Sequence, residues 1–517
     1  LRTLPNQSSC MSSTLLFSFV IGYFLVLLVV AYYTSRNSNN DSFFIGNRNS
    51  NWMLVAFGMI GPSLSGVTFV SVPGTVGSAG FNYFQVVIGN LAGYMIIAFV
   101  LLPLYYRQRL TSIYNYLQHR FGTVSYKTGA FFFIVSRTLG ATARLYLVIN
   151  VLQIFILKDL GVSFGVTTFA ILLMILLYTF EGGVKTIVFT DTLQTTFMLL
   201  GLVACIIYIF NHVHYTDGVF AELNARGLSR IFNMEAESSS YFLKNILGGM
   251  FITVAMTGLD QEMMQKNISV RKLGDSQKNM VTFSITMLLV NFLFLFLGGM
   301  LILFAESNGV NAAPDDLFPT IALYHMPTAL SIVFIIGLIS ALFPSADGAL
   351  TALTSSYCID ILGLKRREDI DEARKKRIRL TVHFIFAIIF FLAVMAFKWI
   401  DNKSIIDVIL KVAGFTYGPL LGLFAFGILT KRTINDRLSL YVCLLAPLII
   451  FGIEFVNNIG WYQQQFRLDR AVAEKIGDLS NAVFGSFKIG YELIIYNGAL
   501  TFLGLLLISK KAAPKAG

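Results

Sequence analysis

Apolar runs of roughly 20 residues recur along nearly the whole chain and are separated by short polar joins, the length a helix needs to cross the hydrocarbon core of a bilayer. The pattern predicts about thirteen spans, near residues 12–33, 52–77, 82–106, 129–157, 164–180, 186–210, 241–265, 280–305, 328–356, 380–398, 405–429, 438–457 and 487–508. Strands of a membrane barrel would alternate polar and apolar residues over about ten positions. These runs are apolar on every side instead, as in LVLLVVAYY or LLVNFLFLFLGGMLILF. A lipid-exposed backbone must satisfy its own hydrogen bonds, so runs of this kind read as helices, and the fold class expected is an all-α polytopic membrane protein.

Two spans are interrupted by glycines and small polar residues at mid-span: the second, MIGPSLSGVTFVSVPG, and the seventh, ILGGMFITVAMTGLDQ. Five spans carry the chain from the start of one to the start of the other. An odd number of crossings turns the second copy upside down, so the pattern predicts an inverted repeat. Paired interrupted spans at matching positions point to a transport site at the bilayer midplane, where unwound backbone frees carbonyls for a cation. Glycines that only let helices approach closely would give a similar pattern in either span alone.

Composition agrees: 56% of the 517 residues are hydrophobic, 13% are charged, and the mean hydropathy is +0.70. The formal net charge of +11 would suit a nucleic-acid binder, but the distribution of Lys and Arg points elsewhere. With the N-terminus outside, the loops assigned inside hold roughly three times as many as those outside, as the positive-inside rule requires. The densest stretch runs from Lys365-Arg366-Arg367 through Arg374-Lys375-Lys376-Arg377 to Arg379 and reads as a cytoplasmic anchor on anionic lipid. The expected setting is a bacterial inner membrane with the C-terminus in the cytoplasm; the expected partners are the lipid bilayer and small molecules, without nucleic acid or an obligate protein partner. LRTLPNQSSC before Met11 reads as an outside tail or a misplaced start. Cys10, Cys205, Cys358 and Cys443 show no disulfide or metal spacing, and the five scattered histidines suggest surface groups. No nucleophile elbow or phosphate loop suggests an enzyme.

Several motifs resemble those of the sodium:solute symporters, carriers of sugars, proline, sialic acid, iodide and short carboxylates. DSFFIGNRNSNW (41–52) is similar to their entry to the first core helix, and YTFEGGVKTIVFTDTLQ (178–194) to their glycine-glycine turn and Thr-Asp-x-x-Gln helix start. TGLDQEMMQK (257–266) resembles the end of their broken seventh span, PSADGALTALTSSYCID (344–360) the Ser-Thr-Ala-Asp-Ser stretch of the proline carriers, and GFTYGPLLGLFAFGILTKR (414–432) their Gly-Pro-rich eleventh span. The resemblance implies ten core helices in two inverted five-helix repeats. It divides the chain into an entry segment (1–51), repeat one (52–210), an extracytoplasmic loop (211–240), repeat two (241–432) and two terminal helices (433–517).

The resemblance also implies Na+ as the coupling ion, between the second and ninth spans, with carbonyls of Gly61 and Leu64 opposite Ala341 and Ser345. Sodium is a hard ion that prefers several oxygens. Pro344 stands where many relatives have a hydroxyl, and Asp347 is the expected replacement ligand, since a carboxylate in a span costs several kcal/mol unless it is paired. A structural carboxylate bonded to nearby hydroxyls or to backbone freed by Pro344 would satisfy the same constraint. Asp191 matches an acid that some members use for a second sodium; with Gln194 it also makes a plausible capping box. Substrate contacts are implied at Ser63, Ser65, Thr68, Thr253 and Thr257, with Phe81 and Gln85 near the outer wall. Met256 stands where some sugar carriers have a gating tyrosine. Arg137 and Arg144, seven residues apart on one helix face, suggest a carboxylate holder: some sialic-acid carriers use an arginine on this helix, and Arg144 matches it. The alternatives are an internal ion pair with Asp191 or Asp347, or a snorkelling Arg137.

The expected function is sodium-driven import of a small carboxylated solute, such as a sialic acid or another organic acid, by alternating access. A sugar or polyol symporter is the alternative. A transporter-like sensor is a third reading, weakened by the few residues after the last expected span. If the charge distribution sets the topology, tags at residue 370 and at the C-terminus should react only with reagents on the cytoplasmic side, and labelling of either from outside would overturn the orientation.

Overall fold

The structure is a computed structural model that describes residues 13–35, 50–179, 183–213, 218–400, 405–466 and 468–511. The N-terminal tail, most of the 41–52 motif and residues 180–182 of the glycine-glycine turn lie outside these. Apart from a two-residue antiparallel pairing of Thr433–Ile434 with Ser509–Lys510, the regular elements among the described residues are helices. A helix lies at each expected span. Among the described residues nine helices are long and apolar enough to cross a membrane, or up to eleven if two bent pairs each count as one span, and Phe164–Thr179 and Leu493–Leu507 are shorter apolar helices.

The helices that build the centre are α1 (Trp52–Gly58), α2 (Ile60–Ala79), α3 (Tyr83–Ile96), α4 (Thr123–Leu152), α5 (Phe164–Thr179), α6 (Gly183–His212), α7 (Phe242–Thr253), α8 (Gln261–Ile268), α9 (Leu273–Asn308), α10 (Thr328–Ser356), α11 (Ile405–Thr416), α12 (Gly418–Leu429) and α13 (Leu493–Leu507). Burial follows position in the bundle: α2 and α10 are enclosed by other helices, whereas Phe169, Leu392, Trp399 and Leu507 are among the large apolar side chains that point outward, as lipid contact requires. With no hydrophobic force between helices in lipid, close approach matters more. Helices α3 and α7 achieve it through glycines: a Cβ on Gly89 would run into the Ile246 carbonyl, and one on Gly249 into the Val86 carbonyl.

Both expected breaks are present. In α2 the chain leaves helical geometry at Ser65, which has φ of +52°, a conformation uncommon for a side chain with a Cβ. Helical bonds run from an amide to the carbonyl four residues back, so the turn at Ser65 takes the amides of residues 66–68 out of line with the carbonyls of residues 62–64. In the seventh span, α7 opens into a π-helical turn, Val254–Gly258, and α8 sets off at 65° to the preceding helix. Asp260 caps α8 by accepting from the Glu262 and Met263 amides at 2.9 and 3.3 Å. A third break was not anticipated as a bend: α11 and α12 meet at 46° at Tyr417, just before Pro419. Asn497 of α13 donates to the Gly414 and Phe415 carbonyls at 3.0 and 2.8 Å, satisfying backbone that the bend would leave bare.

Candidate functional site

The bends of the seventh and eleventh spans are tied together by buried charge. Tyr417 donates to Asp260 at 3.0 Å, Arg137 of α4 pairs with Glu262 and lies 3.7 Å from Asp260, and Lys266 of α8 joins Glu262 at 3.3 Å to Asp191 of α6 at 2.7 Å. Every side chain in this chain of contacts is at least nine-tenths buried. Arg137 therefore does not snorkel. Its partners are Glu262 and Asp260, and Asp191 is held by Lys266, a residue that the hydropathy pattern places just past the end of its span. Burial makes each of these pairs necessary: an uncompensated charge costs far more than a paired one.

Arg144, two turns along α4, differs. Among the described residues it makes no salt bridge, and it lines a cavity of about 110 Å³ beside the break in α2. With Arg137 of the same helix, its wall includes Pro62 and Ser63 from α2, Tyr83, Val86, Asn90 and Tyr94 from α3, Thr253 at the end of α7, Met256 and Thr257 from the opened turn that follows, and Leu410 of α11. Asn90, with its amide turned to donate, reaches Thr253 Oγ1 at 2.9 Å and the Gly249 and Val86 carbonyls at 3.0 Å. Tyr83 and Leu410 also line an adjoining cavity of about 320 Å³, which places them between the two spaces. Joined, the cavities reach the roughly 300–1,000 Å³ usual for a small-molecule pocket.

Of the expected substrate contacts, Ser63, Arg144, Thr253 and Thr257 come together on this wall. Ser65, Thr68, Phe81 and Gln85 are buried but do not line it. The reason is helical phase: Tyr83, Val86, Asn90 and Tyr94 recur at three- and four-residue steps on one face of α3, and Gln85 falls on another, while Phe81 precedes the helix and packs edge-on against Phe292. The same periodicity, applied to the sequence YFQVVIGNLAGY, marks the residues of α3 that line the cavity.

The expected cation ligands sit where α2 meets α10. Gly61 lies against Pro344 of α10, and its amide donates to Thr195 Oγ1 of α6 at 3.1 Å. Leu64 and Ala341 are fully buried on the same two helices. Ser345 Oγ is 3.3 Å from the carbonyls of both Ala341 and Leu342; a hydroxyl that donates to its own helix leaves its lone pairs for a cation. Asp347, three residues beyond Pro344, accepts from Tyr178 at 2.7 Å.

The sodium:solute symporter family model matches residues 43–441. The chain belongs to the sodium:solute symporter family. It is a multi-pass sodium-coupled carrier, and the expectation drawn from its motifs holds. The sodium/sialic acid symporter SiaT of Proteus mirabilis is 22% identical over 470 residues, 86% of this chain and 90% of the relative. NanT of Aliivibrio fischeri, also a sodium/sialic acid symporter, is 22% identical over 79% of this chain and 81% of its own. A solved sodium-coupled sialic acid symporter in a substrate-bound, outward-open state superimposes with a TM-score of 0.78 at 18% identity, covering 96% of this chain and 99% of that one. The fold of this symporter is thus shared along nearly its full length.

Because Arg137 satisfies two buried carboxylates, Arg137→Gln should cost about 3–5 kcal/mol and sharply reduce the yield of folded protein. Fluorescence-detected gel filtration after mild heating measures this, and Arg144→Gln, which strands no acid, should fold close to normally.

Proposed function

We propose that this symporter imports a hydroxylated carboxylic acid, with a sialic acid as the leading candidate, across a bacterial inner membrane by alternating access. One observation carries the reading: Arg144 lines the cavity and, among the described residues, makes no salt bridge, while its neighbour on the same helix face, Arg137, which also lines the cavity, is paired with Glu262. A guanidinium matches a carboxylate with two parallel hydrogen bonds. The Ser63, Asn90, Tyr83, Tyr94, Thr253 and Thr257 side chains around it suit the hydroxyl and amide groups of a sugar acid. The two sodium/sialic acid relatives support the same class. A neutral sugar or polyol would leave the arginine uncompensated in a confined site, which disfavours the alternative.

Sodium binds at the break in α2, in this reading, with the Gly61 and Leu64 carbonyls, the Ala341 carbonyl and Ser345 Oγ as ligands and Asp347 as the nearby negative charge. The turn at Ser65 supports this by taking the Leu64 carbonyl out of helical bonding; Pro344, in place of a hydroxyl, makes Ser345 the sole hydroxyl assigned to the site. The core is ten helices in two inverted repeats, within thirteen spans, the N-terminus outside. Reciprocal packing supports the repeat: the third span packs on the seventh as the eighth packs on the second. Solute reaches Arg144 through the larger cavity when Tyr83 and Leu410 part.

The test is uptake of radiolabelled sialic acid into proteoliposomes under an inward sodium gradient. Uptake should be sodium-driven and lost when potassium replaces sodium. Arg144→Lys should weaken solute binding roughly 10- to 150-fold, about 1.5–3 kcal/mol for a charge-assisted contact, and leave sodium-induced thermal stabilisation intact. Ser345→Ala should raise the sodium concentration for half-maximal uptake about 5-fold, the equivalent of ~1 kcal/mol. Potassium-supported uptake, or loss of the sodium response in Arg144→Lys, would contradict the reading.

A further inference from the structure

Helices α6 and α10 pack against each other along their lengths, and each brings a fully buried carboxylate to the region behind the α2 break, Asp191 and Asp347 respectively. The two are treated differently by the chain. Asp347 is met by the Tyr178 hydroxyl and, among the described residues, by no lysine or arginine within salt-bridge distance. Asp191 is met by an ammonium: Lys266 Nζ lies 2.7 Å from Asp191 Oδ2 and 3.3 Å from Glu262 Oε1, and the lysine is 3% exposed. The arrangement is built into α10 as well. A Cβ on Gly348 would collide with the Glu262 carboxylate, so the bare backbone at Gly348 lets α8 lay the Glu262–Lys266 pair against α10 beside Asp347.

A buried carboxylate can be neutralised by one cation, and an ammonium on a four-carbon stem is a cation that does not leave. It carries the charge of a sodium ion and is satisfied by oxygens at similar distances, but covalent attachment removes it from exchange with either side of the membrane. A sodium ion placed at Asp191 would sit within a few ångströms of the ammonium in a low-dielectric interior, where the repulsion is weakly screened. We propose that Lys266 takes the place of a second coupling cation at Asp191, so that this symporter moves one sodium ion per solute molecule. The proposal rests on the sodium-coupled reading above and adds the ion count. Asp347, which among the described residues has no lysine or arginine within salt-bridge distance, is left to the single transported ion.

The direct measurement is the ratio of initial sodium-22 to labelled sialic acid fluxes in proteoliposomes containing the unmodified protein. A ratio of about one sodium per solute is expected, and about two would overturn the proposal. Lys266→Met removes the ammonium and opens Asp191 to solution cations. In that variant the Hill slope of sodium-dependent solute binding should rise from about one toward about two, and an unchanged slope in folded Lys266→Met protein would overturn the assignment. If Lys266→Met alone does not fold, the neutral pair Lys266→Met with Asp191→Asn leaves no stranded charge at this contact. It should keep the slope near one, and a slope near two in the pair would count against Asp191 as the site of the second cation. Sodium-independent uptake by the unmodified protein is a separate outcome, which removes the sodium-coupled reading itself.

Discussion

A charge buried among membrane helices has no water to fall back on, and the interior of this protein is organised by that constraint. Four carboxylates, Asp191, Asp260, Glu262 and Asp347, and two cations, Arg137 and Lys266, lie within one region with almost no exposed surface. Their contacts run from α6 through α8 to α4 and, by way of Tyr417, to the bend between α11 and α12. Breaking any link strands a charge, so the broken seventh and eleventh spans are fixed in position relative to the fourth and sixth. The irregular backbone tolerated there is the kind that membranes permit only where protein surrounds it.

That fixed frame gives Arg144 its meaning. Two arginines on one helix face line the cavity, one paired with acids of the frame and one, among the described residues, in no salt bridge. The cavity lies between the two spans with mid-span breaks, so solute and sodium would meet on segments whose backbone is already unwound. Coupling needs no long pathway under these conditions: Ser63, on the solute side of the α2 break, is flanked in sequence by Leu64, the carbonyl assigned to sodium. In the proposed reading each ligand would favour the conformation of the break that the other uses, which is the reciprocity that linkage demands.

Much of this was legible in the chain. Long apolar runs place the helices to within a few residues, and the small polar residues around Gly61–Ser65 and Gly258 mark the two breaks, because only residues of that kind make an unwound turn inexpensive. The partner of each charge was not legible. Pairing joins residues far apart in sequence, such as Lys266 with Asp191, and hydropathy alone sets Lys266 beyond the membrane, since a lysine ends an apolar window whether or not an aspartate waits for it. The bend at Tyr417 was hidden for a related reason: what makes it tolerable is Asn497, about eighty residues later. On α3 the signal was present, and motif matching chose Phe81 and Gln85 where helical phase selects Tyr83, Asn90 and Tyr94.

A solute carboxylate meeting Arg144 is the central claim, and calorimetric titration of the purified protein at saturating sodium with a sialic acid and with its uncharged carboxamide tests it most directly. The acid should bind at least about 10-fold more tightly than the amide, since the amide cannot supply a charge-assisted bidentate pair. Equal affinity for the two would show that Arg144 does not read the solute's charge, and would remove the basis for assigning a carboxylic acid as substrate.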